Sequence, residues 1–197
     1  AAYIDRSIAL CKRAGFKKIC IRGDTDFTQT KELDRWDAEG VQFLFGIDAH
    51  KTLIDMAEQQ AEEWWKPLPH PPKYEVKTEP RAKPENVKER IVVEKEYENV
   101  KLLGEDVVEF DYSPWACKKA YTVIALRKHL SVEKGQGVLF RQIKYFFYIT
   151  NHQAKSQEQL VDWAHRRCNQ ENLIEQLKNG VHAMRMPVQD LVSNWAY

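Results

Sequence analysis

Residues 41–48, Val-Gln-Phe-Leu-Phe-Gly-Ile-Asp, form a nearly continuous apolar run that ends in an acid. A strand apolar on both faces needs cover on both, so this run belongs at the centre of a sheet flanked by helices. The neighbouring sequence supplies those helices. Residues 1 to about 15 carry an apolar stripe of Ile4, Ile8, Leu10 and Cys11 and stop at Gly15. A second helix is predicted over Thr28 to Glu39, with Thr28 as N-cap and Gly40 as terminator. A third runs from His50 to about Trp65, with Trp64-Trp65 as its buried end. Between the first two helices lies a strand, Lys17 to Asp24, whose apolar Ile19-Cys20-Ile21 ends abruptly near Gly23-Asp24-Thr25-Asp26. Helix, strand, helix, strand, helix predicts an α/β core with parallel strands.

The pattern then breaks. Pro67, Pro69, Pro71, Pro72, Pro80 and Pro84 crowd a charged segment that reads as the way out of the core. Strand-like stretches follow at Arg90 to Lys95, Val100 to Leu103, Val107 to Tyr112, Tyr121 to Leu130 and Val138 to Ile149. Turn signals stand at Gly104-Glu105-Asp106, Ser113-Pro114 and Lys134-Gly135-Gln136-Gly137. The last of these strands returns to the core and ends at Thr150-Asn151. A final helix is predicted from about Glu158 to Asn179.

Chemistry gathers at strand ends in sheets of this kind. Asp24 therefore stands as a metal ligand, with Asp26 as its rival and a turn-capping Asp as the plain alternative. On the final helix, steps of three and four put Arg167, Glu171 and Lys178 on one stripe. By itself that stripe is a solvated face of intrahelical ion pairs. Together with Asp24, Glu171 makes a second ligand for a divalent ion, since magnesium takes hard oxygen donors. Two such ions about 4 Å apart suit in-line phosphoryl displacement. Arg167 offers a planar fork for phosphate and Lys178 a point charge. Trp115, beside Ser113-Pro114, is a candidate to stack on an unpaired base, or else core of a small sheet. His50, His70, His152 and His182 lack ligand spacing.

These stretches resemble the DDE transposases of bacterial insertion sequences, in the group with a Tyr-Arg-Glu-Lys signature. Arg167, Glu171 and Lys178 fit that signature; its Tyr position is Ala164, beside Trp163. Arg22-Gly23-Asp24-Thr25-Asp26-Phe27 is similar to the group's second-aspartate motif. The resemblance implies an α/β fold: an RNase H-like mixed sheet flanked by helices, with a β-rich insertion before the last catalytic helix. It divides the chain into a first core part, 1–66, an insertion, 67–137, and a last core part, 138–197. It implies metal-dependent cleavage of a phosphodiester and strand transfer, with Asp24 and Glu171 on a two-metal site of Mg2+ or Mn2+. Arg167, Lys178 and Trp115 are the expected DNA contacts. DNA, as terminal inverted repeats and target, is the implied partner, together with a homodimer in the DNA complex.

The group uses three acids, and the motif at Asp24 is the second. The first is therefore expected on a strand before residue 1, leaving these residues inactive alone. The rivals are a non-catalytic DNA-binding remnant and a nuclease of the same fold.

The formal net charge is +1 over 197 residues, so DNA affinity has to come from local patches. Candidates are Lys12, Arg13, Lys17 and Lys18; Lys118 and Lys119; Arg127 and Lys128; and Arg166, Arg167, Lys178 and Arg185. No apolar run reaches the roughly 20 residues of a membrane span, and no signal-peptide pattern is present. Cys11, Cys20, Cys117 and Cys168 show no CxxC spacing, which fits a reducing cytoplasm.

Overall fold

The computed structural model describes residues 1–69, 87–135, 137–166 and 173–180. Its frame is one six-stranded mixed sheet with helices on both faces. In chain order the elements are α1 (Ala2–Arg13), β1 (Cys20–Gly23), α2 (Thr30–Ala38), β2 (Gln42–Ile47) and α3 (Lys51–Glu58). Then come β3 (Lys66–Pro67), α4 (Val87–Glu94), β4 (Glu98–Tyr112), β5 (Tyr121–Lys134), β6 (Gly137–Thr150) and α5 (Gln157–His165). The strand order is β1-β2-β6-β5-β4-β3. β1 and β2 are parallel, as the helix–strand alternation requires, and every other pair is antiparallel.

Alternation along the strands sorts side chains to two faces. Phe43, Phe45, Val108, Val123, Ala125, Phe147 and Ile149 face α1, α2 and α3, which contribute Ile8, Leu33, Trp36, Leu53 and Ala57. Leu44, Val107, Ile124 and Leu126 face the other way, where α5 covers them with Leu160 and Val161. The β2 run is thus buried on both sides, as its sequence demands. Gly15 and Gly40 close α1 and α2 with positive φ of 86° and 72°. In each case the next residue's N–H reaches back five positions, Phe16 to Cys11 and Val41 to Trp36, as in a Schellman turn.

Four sequence expectations are corrected. Thr28 is not the N-cap of α2; its hydroxyl donates to the Asp24 and Gly46 carbonyls, and the helix starts at Thr30. The third helix stops at Glu58, and Glu62–Trp64 is a separate 3-10 turn. That break lets Trp65 turn inward beside Tyr145 while Trp64 stays 57% exposed. The β-branched run in 90–95 is helix α4, not strand. Its end is a Schellman turn in which Tyr97 donates to the Val92 carbonyl and Glu96 takes positive φ of 51°. Finally, Gly104 marks no turn. β4 runs unbroken through it, with a bulge between Leu102 and Gly104 that absorbs the irregularity.

Most of the Pro-rich segment lies outside the described residues. Pro67, which is described, forms the short edge strand β3 with Lys66. Among the described residues no helix is long and apolar enough to cross a membrane.

Candidate active site

Asp24 follows the last residue of β1 and stands, in extended conformation, at the N-cap position of the 3-10 turn Thr25–Phe27 without a side-chain capping bond. Two glycines allow this turn to fold back onto the sheet. A Cβ on Gly23 would meet Phe27 Cβ at 2.8 Å, and one on Gly46 would meet the Thr25 nitrogen at 3.1 Å. β2 is therefore open at Gly46 to receive the Asp24–Thr25 backbone. Thr28 pins the turn from the other side, its hydroxyl on the carbonyls of Asp24 and Gly46. The result is an acid at a parallel strand end, with one carboxylate oxygen, Oδ1, shielded from solvent. Asp26 is exposed on the outside of the turn, and Asp48 is exposed just past the end of β2.

α5 reaches this end of the sheet. Ser156 caps it with a capping box: its hydroxyl accepts from Gln159 N, and the Gln159 side-chain oxygen accepts from Ser156 N. At the other end, the guanidinium of Arg22 donates to the Trp163 carbonyl and lies 5.8 Å from the Trp163 ring centroid. A cation on a last-turn carbonyl also suits the helix dipole. The strand that carries Asp24 is thereby tied to the last turn of α5. Ala164, at the signature's Tyr position, packs partly buried against the α5 face of the sheet.

Arg167 and Glu171 lie outside the described residues, as does Arg185. Lys178 falls in the π-helical turn Gln176–Gly180, exposed. Trp115 is 86% exposed in the turn between β4 and β5, so it is not core of a small sheet. The pairing register puts that turn beside the start of β2, because Thr122 and Leu44 both pair with Thr150. Asp24 sits at the other end of β2. From strand spacing and rise, Trp115 and Asp24 are on the order of 20 Å apart, and the structure does not bring them together.

The turn that displays Trp115 is fastened to α2. Asp34 accepts from the Lys118 amide at 2.6 Å and the Tyr121 hydroxyl at 2.7 Å. Asp37 accepts from the Lys119 ammonium and, at 2.8 Å, from the Asn151 amide. The Lys118 amide, then the Tyr121 hydroxyl, hold the Asp34 carboxyl below its ordinary range. Burial pushes the Asp37 carboxyl up, but Lys119 and Asn151 more than reverse it. Sequence reading missed this clamp, since Asp34 and Asp37 look like ordinary solvated helix residues.

Several predicted basic patches are engaged within the protein. Arg127 is buried, bound to Glu62 and Asp106 and stacked 4.2 Å over the Trp65 ring. Lys128 pairs with Glu105, Lys12 with Glu39 and Arg166 with Asp162.

Among the described residues no group of three His, Cys, Asp or Glu side chains could hold a metal ion. Asp24 fits a divalent cation by its chemistry: a hard oxygen donor, partly shielded, on a fixed backbone. Asp24 and Glu171 are the two ligands expected from the sequence.

Searches of curated proteins and of solved structures find no match. A family model described as Transposase DDE domain group 1 matches residues 2–196. That span takes in the Asp24 turn, the long β4–β5–β6 sheet and α5 alike, and by it the chain belongs to the DDE transposase domain family.

Proposed function

We propose that this chain carries two of the acids of an insertion-sequence transposase active site, Asp24 and Glu171, and acts on the ends of its element. The observation that carries the reading is Asp24, the acid of the Arg-Gly-Asp motif, held at the end of a parallel strand with α5 tied alongside through Arg22. The family acts on DNA and generally uses divalent metal ions. Asp24 and Glu171 would hold Mg2+ or Mn2+ here. When bound, such ions neutralise charge on the attacking and leaving oxygens of a phosphodiester. The chain's own part is to aim the carboxylates and grip the backbone. Arg167 and Lys178 contact phosphates near the cut. Trp115 stacks on a base well away from it, since its turn lies at the other end of the sheet.

The division of the chain follows from this reading. Residues 1–66 and 138–197 are the catalytic part, and 67–137 the insertion that holds the transposon end, its strands β4 and β5 sharing the sheet and its core. Two copies bridge two ends in the DNA complex, on the nucleoid in the cytoplasm.

A third acid is needed. β1 is an edge strand with no strand on its outer side among the described residues, and it already carries the second-aspartate motif. A strand bearing the first acid would pair there. Residues 1–197 alone therefore bind transposon-end DNA and do not cut it. The second reading is a non-catalytic DNA-binding remnant.

The test is an assay on a transposon-end duplex with manganese, using these residues alone and joined to a strand bearing the first acid. Cleavage and joining by the longer form only, lost in Asp24→Ala, is the expected result. Cleavage without joining makes it a nuclease. No cleavage by either form, with DNA binding intact, favours the remnant. Cleavage by residues 1–197 alone, lost in Asp24→Ala, shows that all ligands are already present.

A further inference from the structure

β6 is 14 residues long, but β2 covers its outer edge only at Phe147–Thr150. Along Gly137–Phe146 that edge has no strand beside it among the described residues, while β5 pairs along the inner edge. Such an edge presents unpaired N–H and C=O groups, and proteins commonly blunt it with bulges, Pro or charge. The other outer edge of this sheet is blunted: β4 has its bulge between Leu102 and Gly104, charges at Glu98, Lys101 and Glu105, and β3 across part of it. β6 bulges only at Leu139, where Val132 pairs with Phe140 and Glu133 with Val138. From Phe140 to Phe146 it is regular and without Pro or acid; its charges are Arg141 and Lys144, and Phe140, Ile143 and Phe146 are 54%, 47% and 43% exposed.

We infer that this edge pairs antiparallel with the same edge of a second copy. The inference deepens the two-copy reading above by naming the surface. Pleat, charge and the number of residues paired together select the register. Residues that face each other across an antiparallel pair lie on the same face, so the two-fold axis passes through a residue. An axis at Arg141 or at Lys144 sets a cation against itself. An axis at Ile143, the midpoint of the regular stretch, does not. It pairs Phe140 with Phe146 of the second copy, Arg141 with Tyr145 and Gln142 with Lys144. Aromatic–aromatic and cation–aromatic pairs are favourable cross-strand neighbours. Seven residues of edge bury less than the roughly 800 Å² per copy of a standard interface. The dimer is accordingly weak, with a dissociation constant on the order of micromolar.

Sedimentation velocity without DNA, over a concentration series, tests this. The expected result is a monomer–dimer equilibrium that Ile143→Lys and Phe140→Glu each weaken roughly tenfold or more, with unchanged circular dichroism. In Ile143→Cys, mild oxidation should join two copies through position 143, identified by the mass of the linked peptide. Opposed Cα atoms about 4.5–5.5 Å apart suit a disulfide. A protein that stays monomeric to roughly 300 μM, far above that constant, overturns the inference. So does a dimer untouched by both charge variants, which would leave the two-copy reading standing on another surface. A single copy in the DNA complex would remove that reading as well.

Discussion

Asp24 depends on residues that carry no chemistry of their own. Gly46 lets the Asp24–Thr25 backbone lie against β2, where a Cβ would come within 3.1 Å of the Thr25 nitrogen and 3.4 Å of the Asp24 carbonyl carbon. Two of the three nearest neighbours are backbone, the third is the Thr25 methyl at 3.3 Å, and Thr28 holds the turn in place. Gly46→Ala is therefore expected to cost about 1–3 kcal/mol in urea unfolding, as overpacking does. A change within about 0.5 kcal/mol would show that the turn yields freely. Arg167 and Lys178 make a different demand. If each contacts a phosphate, Arg167→Ala and Lys178→Ala should each lower the slope of log affinity against log salt by roughly one, without altering sequence preference. Unchanged slopes in both would reduce them to partners of Glu171. The Arg-Gly-Asp motif could be read from the sequence, whereas the sequence left Trp115 open between exposed stacking and sheet core, and it is exposed. Arg22 and Trp163 could not be paired that way, because the contact joins residues 141 positions apart.

At the scale of elements, the β4–β5 turn owes its position to α2. Asp34 and Asp37 both titrate lower in the folded protein than their ordinary value of 3.8. As pH falls, the unfolded chain takes up these protons first. The stability they contribute is complete above the unfolded value and is lost as pH drops through the lower folded values. Asp34→Asn should flatten the fall in stability below about pH 4 in acid titrations of urea unfolding. An unaltered acid limb would mean that the clamp does not favour the ionised form. The elements of the core were legible because their burial matches their period: the β2 run is apolar on both faces, and the helix stripes step by three and four. α4 was not. Its β-branched residues favour strand locally, and only the Schellman turn at Glu96, with its unusual positive φ, closes it as helix. The single long β4 was also hidden, because a glycine bulge and a glycine turn look alike in sequence.

For the whole molecule, one mixed sheet carries both ends of the account. The parallel pair β1–β2 holds Asp24, and the antiparallel β4–β5–β6 extends away from it in the same sheet, displaying Trp115 at one end and the bare β6 edge toward the other. α5 lies on the face opposite α1–α3, and its last turn is fixed to β1. The central proposal is that the chain after α5 brings Glu171 to Asp24. A crystal soaked in manganese, with anomalous scattering to locate the ion, tests it most directly. Asp24 and Glu171 are expected within about 8 Å of each other by carboxylate, sharing one two-metal centre. Manganese bound elsewhere, or Glu171 on the opposite face of the sheet from Asp24, would contradict it.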